Sequence, residues 1–150
     1  MQSKHEILDR ATVRDFGREW HRFDQSDASA EETGRLFDEY FVAFPWESLP
    51  RDAVGFDAGY GSGHWAALVA PRVARLHAVD ARAEALAVAK NNLAGLSNVS
   101  LHETPLDSLS VSDGSMDFGY GLGVIHHIPD PQAGLAASVT KLNPGAPMLI

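Results

Sequence analysis

The stretch Asp57-Ala58-Gly59-Tyr60-Gly61-Ser62-Gly63 constrains the fold more than any other part of the chain. The apolar run Ala53-Val54-Gly55-Phe56 before it reads as a buried parallel strand. His64-Trp65-Ala66-Ala67-Leu68-Val69-Ala70 after it reads as a helix stopped by Pro71. Strand, glycine turn and helix in that order open a nucleotide-binding βα unit, because glycines let the backbone turn tightly and approach a ligand closely. The dinucleotide fingerprint needs a glycine where this chain has His64, so the pattern is acidic-x-Gly-x-Gly-x-Gly instead. A carboxylate at Asp57 would repel a pyrophosphate and favours a ligand that carries an ammonium group.

Strands and helices alternate after this unit. Arg75 to Asp80 is expected as a second strand, Arg82 to Leu93 as an alanine-rich helix, and Asn98 to Glu103 as a short third strand. In that helix Leu86, Ala89 or Lys90, and Leu93 would lie along one side. Met116 to Leu122 follows as a fourth strand and Ala146 to Ile150 as the beginning of a fifth. Between them Asp130 caps a helix with Pro131 at its first position, and Leu135, Val139 and Leu142 would form its inner stripe. The βαβα order implies an α/β fold: a doubly wound, mostly parallel sheet with ligands beyond the carboxyl ends of its strands. Asp80, at the end of the second strand, can accept from both hydroxyls of a ribose; the competing reading is a helix N-cap. Upstream, Ser29-x-x-Glu32 is a capping box, and Leu36, Phe37, Tyr40, Phe41 and Phe44 form one helical stripe ended by Pro45.

Three segments in order resemble class I S-adenosylmethionine-dependent methyltransferases of the small-molecule type. The glycine turn resembles their motif I. The run from Asp113 to Phe118, with Gly123-Val124-Ile125-His126-His127-Ile128-Pro129-Asp130-Pro131, resembles their fourth-strand region, and Leu142-Asn143-Pro144-Gly145 the turn before their fifth strand. The segment from Phe16 to Phe23 is similar to one that precedes the domain in a bacterial branch. The resemblance implies a Rossmann-like core that binds S-adenosyl-L-methionine. It assigns Asp57, Ala58, Gly59, Tyr60 and Gly61 to the methionine end, and Asp80 and Ala81 to the ribose and adenine. Thr104, Pro105 and Leu106 would sit at the adenine edge, with Pro105 where many relatives carry an acidic residue. Gly121 and Leu122 would line the cofactor near its sulfonium, Gly121 leaving room for a methyl acceptor.

His126 and His127 follow the fourth strand, where an acceptor would approach, and one of them is a candidate general base. The competing reading has both packing or bonding to loop backbone, which a histidine pair without a placed partner favours. No metal is expected, because adjacent residues rarely point at one ion. Two other functions stand beside methyl transfer: a nicotinamide-dependent oxidoreductase, disfavoured by His64, and a methyltransferase-like module that binds without catalysis.

Length and composition bound the rest. The chain has 150 residues, about one domain, and 45% of them are hydrophobic, which suits a packed core. Residues 1–50 are expected as an N-terminal helical cap segment and 51–150 as the cofactor-binding core. Val13, Phe16, Trp20 and Phe23 in that segment would wrap over the domain or close over the cofactor. A formal net charge of −8 argues against nucleic acid as a partner, and no cysteine is present for a disulfide or thiolate site. No apolar run is long enough to span a membrane, and a cytoplasmic location is expected. The relatives usually have seven strands, so a chain ending in its fifth is expected to be incomplete at the C-terminus. Its exposed strand edge would suit a homodimer. A small molecule is the expected methyl acceptor.

Overall fold

In the computed structural model, which describes residues 29–150, the β-rich runs pair into one five-stranded sheet. Its strands are β1 (Val54–Ala58), β2 (Arg75–Asp80), β3 (Val99–Glu103), β4 (Phe118–Tyr120) and β5 (Met148–Leu149). Their order is β3-β2-β1-β4-β5, and every pairing is parallel. The helices are α1 (Ala30–Tyr40), α2 (His64–Val69), α3 (Ala83–Asn92) and α4 (Pro131–Lys141). This is the expected doubly wound α/β arrangement. Alternation along each strand sorts side chains to two cores. Leu76, Ala78, Phe118 and Tyr120 meet α1, α2 and α3 on one face, while Phe56, Ala58 and Val79 pack with Leu109 and Met116 on the other. The segment 1–28, with Val13, Phe16, Trp20 and Phe23, lies outside the described residues. Among the described residues, no helix is long and apolar enough to cross a membrane.

Register places the chemistry. Asp57 pairs across to Ala78 on β2 and to Tyr120 on β4, and Asp80 pairs with Glu103 on β3. Since register partners in neighbouring strands share a face, Asp57, Tyr120 and Asp80 gather at the carboxyl end of the sheet, on the side of α1–α3.

Several boundaries differ from the sequence reading. Strand β1 runs to Ala58, so Asp57 belongs to the strand and the turn begins at Gly59. Strands β4 and β5 are shorter than expected, Phe118–Tyr120 and Met148–Leu149. Helix α1 starts as expected, with the Ser29 hydroxyl accepting from the Glu32 N–H at 3.1 Å, but it ends at Tyr40 instead of near Pro45. The chain turns there so that Phe41 and Phe44 fold back onto the sheet, with ring centroids 5.3 Å from Tyr120 and 5.9 Å from Phe118. Along α3 the inner side is Ala85, Ala89 and Leu93, with Lys90 exposed. In α4 the buried positions are Gly134 and Ser138, while Val139 is 53% exposed, so the expected stripe is rotated outward. Close approach decides this rotation: a Cβ at Gly134 would collide with Ile128 Cδ1.

Candidate functional site

Strand β1 carries Asp57 into the sheet's interior, where it is 2% exposed. The Tyr120 hydroxyl donates to its Oδ2 at 3.0 Å. Burial pushes the Asp57 carboxyl up to about 7; the Tyr120 hydrogen bond opposes the rise and the nearby Asp80 adds to it. The group therefore stands near the boundary between neutral and ionised at physiological pH.

After Ala58 the backbone reverses. Gly59 has φ 88°, and its N–H donates to the Val79 carbonyl at 2.6 Å, which ties the turn to β2. A Cβ at Gly59 would run into Val124 in the loop after β4. Gly63, at φ 82°, enters α2, and a Cβ there would stand 2.8 Å from Leu93 Cδ1 at the end of α3. Both glycines thus serve a left-handed turn and a close approach at once. The Asn92 side chain fastens the same region by donating to the Ser62 carbonyl at 2.9 Å.

Asp80, 6% exposed at the end of β2, faces this turn. Its Oδ2 accepts from the Gly61 N–H at 3.1 Å, so the second carboxylate and the glycine turn are joined directly. Arg82 supplies the rest: its N–H and Nε donate to Oδ1 at 3.0 and 2.8 Å, and Nη2 donates to Oδ2 at 2.6 Å. The carboxylate oxygens expected to stand ready for a ribose are therefore held by a guanidinium. Nor is Asp80 the helix N-cap of the competing reading, because α3 begins at Ala83 with Arg82 in the cap position. Sequence reasoning passed over Arg82; its signal was a basic residue two places after a strand-end Asp. Tyr60 is buried beside these groups. Burial first, then the Asp80 and Glu103 carboxylates, push its phenol above the ordinary value, and its hydroxyl has no hydrogen-bond partner among the described residues.

The other expected residues divide. Ala81 is exposed next to Asp80, and the Thr104 N–H donates to the Asp80 carbonyl at 3.0 Å, which puts the start of the following loop beside β2. Pro105 is exposed, whereas the Leu106 side chain packs into the core on the opposite face of the sheet. At Gly121 the side-chain direction is closely bounded: a Cβ there would stand 3.2 Å from Ala58 Cβ and 3.6 Å from Ile125 Cδ1. Leu122 packs against the core on the α1–α3 side. His126 and His127 are exposed, side by side with ring centroids 3.9 Å apart. Among the described residues no group of three His, Cys, Asp or Glu could hold a metal ion. Val124, which sequence reasoning did not single out, closes against the glycine turn from the β4 side.

Known structures share this fold. The YcgJ protein from Bacillus subtilis is 24% identical, with a TM-score of 0.62 over 74% of this chain and 45% of its own. A SAM dependent methyltransferase from Aquifex aeolicus is 20% identical, with a TM-score of 0.59 over 77% of this chain and 68% of its own. The N-methyltransferase NodS from Bradyrhizobium japonicum, in complex with S-adenosyl-L-homocysteine, is 19% identical, with a TM-score of 0.70 over 90% of this chain and 69% of its own. The chain thus spans under half the length of YcgJ. No curated protein sequence matches it. The family model described as a methyltransferase domain matches residues 56–145, from within β1 to the turn before β5. A match over that much of the chain settles its kinship: the chain belongs to the methyltransferase domain family.

Proposed function

We propose that the chain binds S-adenosyl-L-methionine across the glycine turn and the ends of β1 and β2, and that the protein transfers the cofactor's methyl group to a small-molecule acceptor. The observation that carries this reading is the pair of buried carboxylates, Asp57 and Asp80, on either side of a turn with left-handed glycines. A buried carboxylate opposes a pyrophosphate, which disfavours the nicotinamide alternative, and suits a cation. In this reading Asp57 takes the methionine ammonium, with Gly59, Tyr60 and Gly61 offering backbone. Asp80 takes the ribose, Ala81 and the segment Thr104–Leu106 flank the adenine, and Gly121 and Leu122 lie toward the sulfonium. The Tyr60 hydroxyl fits too: a buried donor without an acceptor costs about 1–3 kcal/mol, which a ligand oxygen would recover.

The bound cofactor supplies an already activated methyl group. What this chain's residues contribute is alignment and the exclusion of water. Asp57 must lose its proton to hold the ammonium, and Tyr120, donating to Oδ2, keeps that carboxylate aimed. His126 and His127 remain the candidates for taking a proton from an acceptor. Titration calorimetry with S-adenosyl-L-homocysteine tests the binding; the expected result is one site per chain, and a folded chain that binds none overturns the reading. For the acceptor, label from methyl-labelled cofactor should appear in the low-mass fraction of a cell extract. Label confined to protein or nucleic acid would overturn the small-molecule assignment.

A further inference from the structure

We infer that Arg82 is a resident competitor for the ribose site and sets the affinity of the chain for its cofactor. The inference rests on the proposed cofactor site, and its starting point is the count of donors on Asp80. A carboxylate offers about four lone-pair positions. Four donors already occupy them: the N–H of Gly61, and the N–H, Nε and Nη2 of Arg82. No acceptor position is left for a ribose diol, which brings two further donors. Two of the four bonds must give way before the sugar can be held.

Which two is decided by what each donor is attached to. The Gly61 and Arg82 N–H groups belong to backbone fixed by the glycine turn and by the entry to α3, so they keep the carboxylate oriented throughout. The guanidinium hangs on a flexible side chain. Arg82 occupies the cap position of α3 with extended backbone angles, φ −99° and ψ 124°; its carbonyl accepts from the Leu86 N–H at 3.3 Å, while its side chain makes no cap hydrogen bond to the helix. Rotating its side chain therefore releases Asp80 and leaves α3 intact. The arrangement also has a function without ligand. Arg82 is 6% exposed and Asp80 equally so, and a buried carboxylate lacking a counter-charge is strongly destabilising. The guanidinium neutralises Asp80 until the ribose arrives, and the ribose must then displace a forked, charge-assisted pair.

This predicts an effect opposite in sign to that of an ordinary contact residue. Arg82→Ala is expected to unfold at lower temperature than the unaltered chain without ligand. It should nevertheless bind S-adenosyl-L-homocysteine roughly three- to tenfold more tightly, the scale of one net hydrogen bond, because the forked pair no longer has to be exchanged for the diol. Arg82→Lys, which keeps the charge but cannot fork across both oxygens, should fall between the two and keeps the test open if the alanine variant does not fold. Calorimetry and thermal unfolding on the three folded proteins decide it. Tighter binding with lower ligand-free stability supports the inference. Binding in the unaltered chain with equal or weaker binding in the variants overturns the role of Arg82 alone. No binding in any folded protein overturns the cofactor site and this inference together.

Discussion

At the scale of single residues, the protonation of Asp57 links pH to stability and, in the proposed site, to binding. Its carboxyl is raised from 3.8 to about 7 by burial, so the folded chain favours the protonated form. That contribution is fully present below about pH 4 and is lost as pH rises through about 7. His77 and His102 act in the other direction. Their nitrogens are 3.0 Å apart, and burial, their mutual proximity and Arg75 hold His77 below the usual imidazole range, while burial and Arg75 do so for His102. Folded chain therefore loses stability as these rings are forced to take protons. The difference between the unaltered chain and Asp57→Asn isolates the carboxyl: thermal unfolding at pH 5 and pH 8 should show a stabilisation at low pH that the variant lacks. A cationic ligand needs the ionised form, so affinity for S-adenosyl-L-methionine should fall by up to about tenfold per pH unit below pH 7. Asp57→Asn should abolish that slope in a titration series. Tyr120→Phe removes the hydrogen bond that lowers the Asp57 value against burial and Asp80, and should move the midpoint of the affinity profile to higher pH.

At the scale of elements, the glycine turn is gripped from both sides, by Val124 after β4 and by Leu93 at the end of α3. Gly59→Ala faces two penalties, left-handed backbone strain of about 1–2 kcal/mol and collision with Val124. Val124→Ala removes the two methyl groups that a Cβ at Gly59 would strike, though not the Val124 Cβ at 2.9 Å, so it eases the collision and leaves the strain. A double-mutant cycle in urea should therefore show coupling of at least about 0.5 kcal/mol between the two positions; strict additivity would mean the contact is not made. Helix α4 depends on a different local device. The Asp130 carboxylate accepts from the Ala133 N–H at 2.9 Å, with Pro131 following as the first helical residue. Asp130→Ala should cost about 1 kcal/mol by urea denaturation, the usual worth of an N-cap.

Across the whole molecule, an aromatic layer joins α1 to the site. Phe37 and Phe41 stack with centroids 4.4 Å apart, and Phe41 meets the Tyr120 ring edge-on at 5.3 Å. The same Tyr120 holds Asp57 through its hydroxyl. Packing distant from the proposed cofactor site thus aims the carboxylate to which the proposal gives the methionine ammonium. Phe41 is 3% exposed, and Phe41→Ala should cost about 3–5 kcal/mol of stability. Because it frees one side of the Tyr120 ring, it should also weaken S-adenosyl-L-homocysteine binding in the folded fraction. Unchanged affinity beside a large stability loss would show that the aromatic layer supports the fold without positioning the site.

The sequence by itself determined the order of elements and the place of the turn. Glycine spacing, caps at Ser29 and Asp130, and period-two apolar runs are local causes, and each acts wherever its neighbours in the chain allow. The pairing of Asp57 with the carboxyl end of β1, and of Asp80 with that of β2, followed from the same local order. Tertiary structure decided what those carboxylates meet. That Tyr120 donates to Asp57, that Arg82 fills Asp80, and that Ala58 and Ile125 stand close to Gly121 depend on distances across strands. It also decided which side of α4 is inward, where the fit of Ile128 against Gly134 outweighed the apolar stripe. Periodicity says which residues share a face; close packing, which no local pattern encodes, chooses the face that is buried.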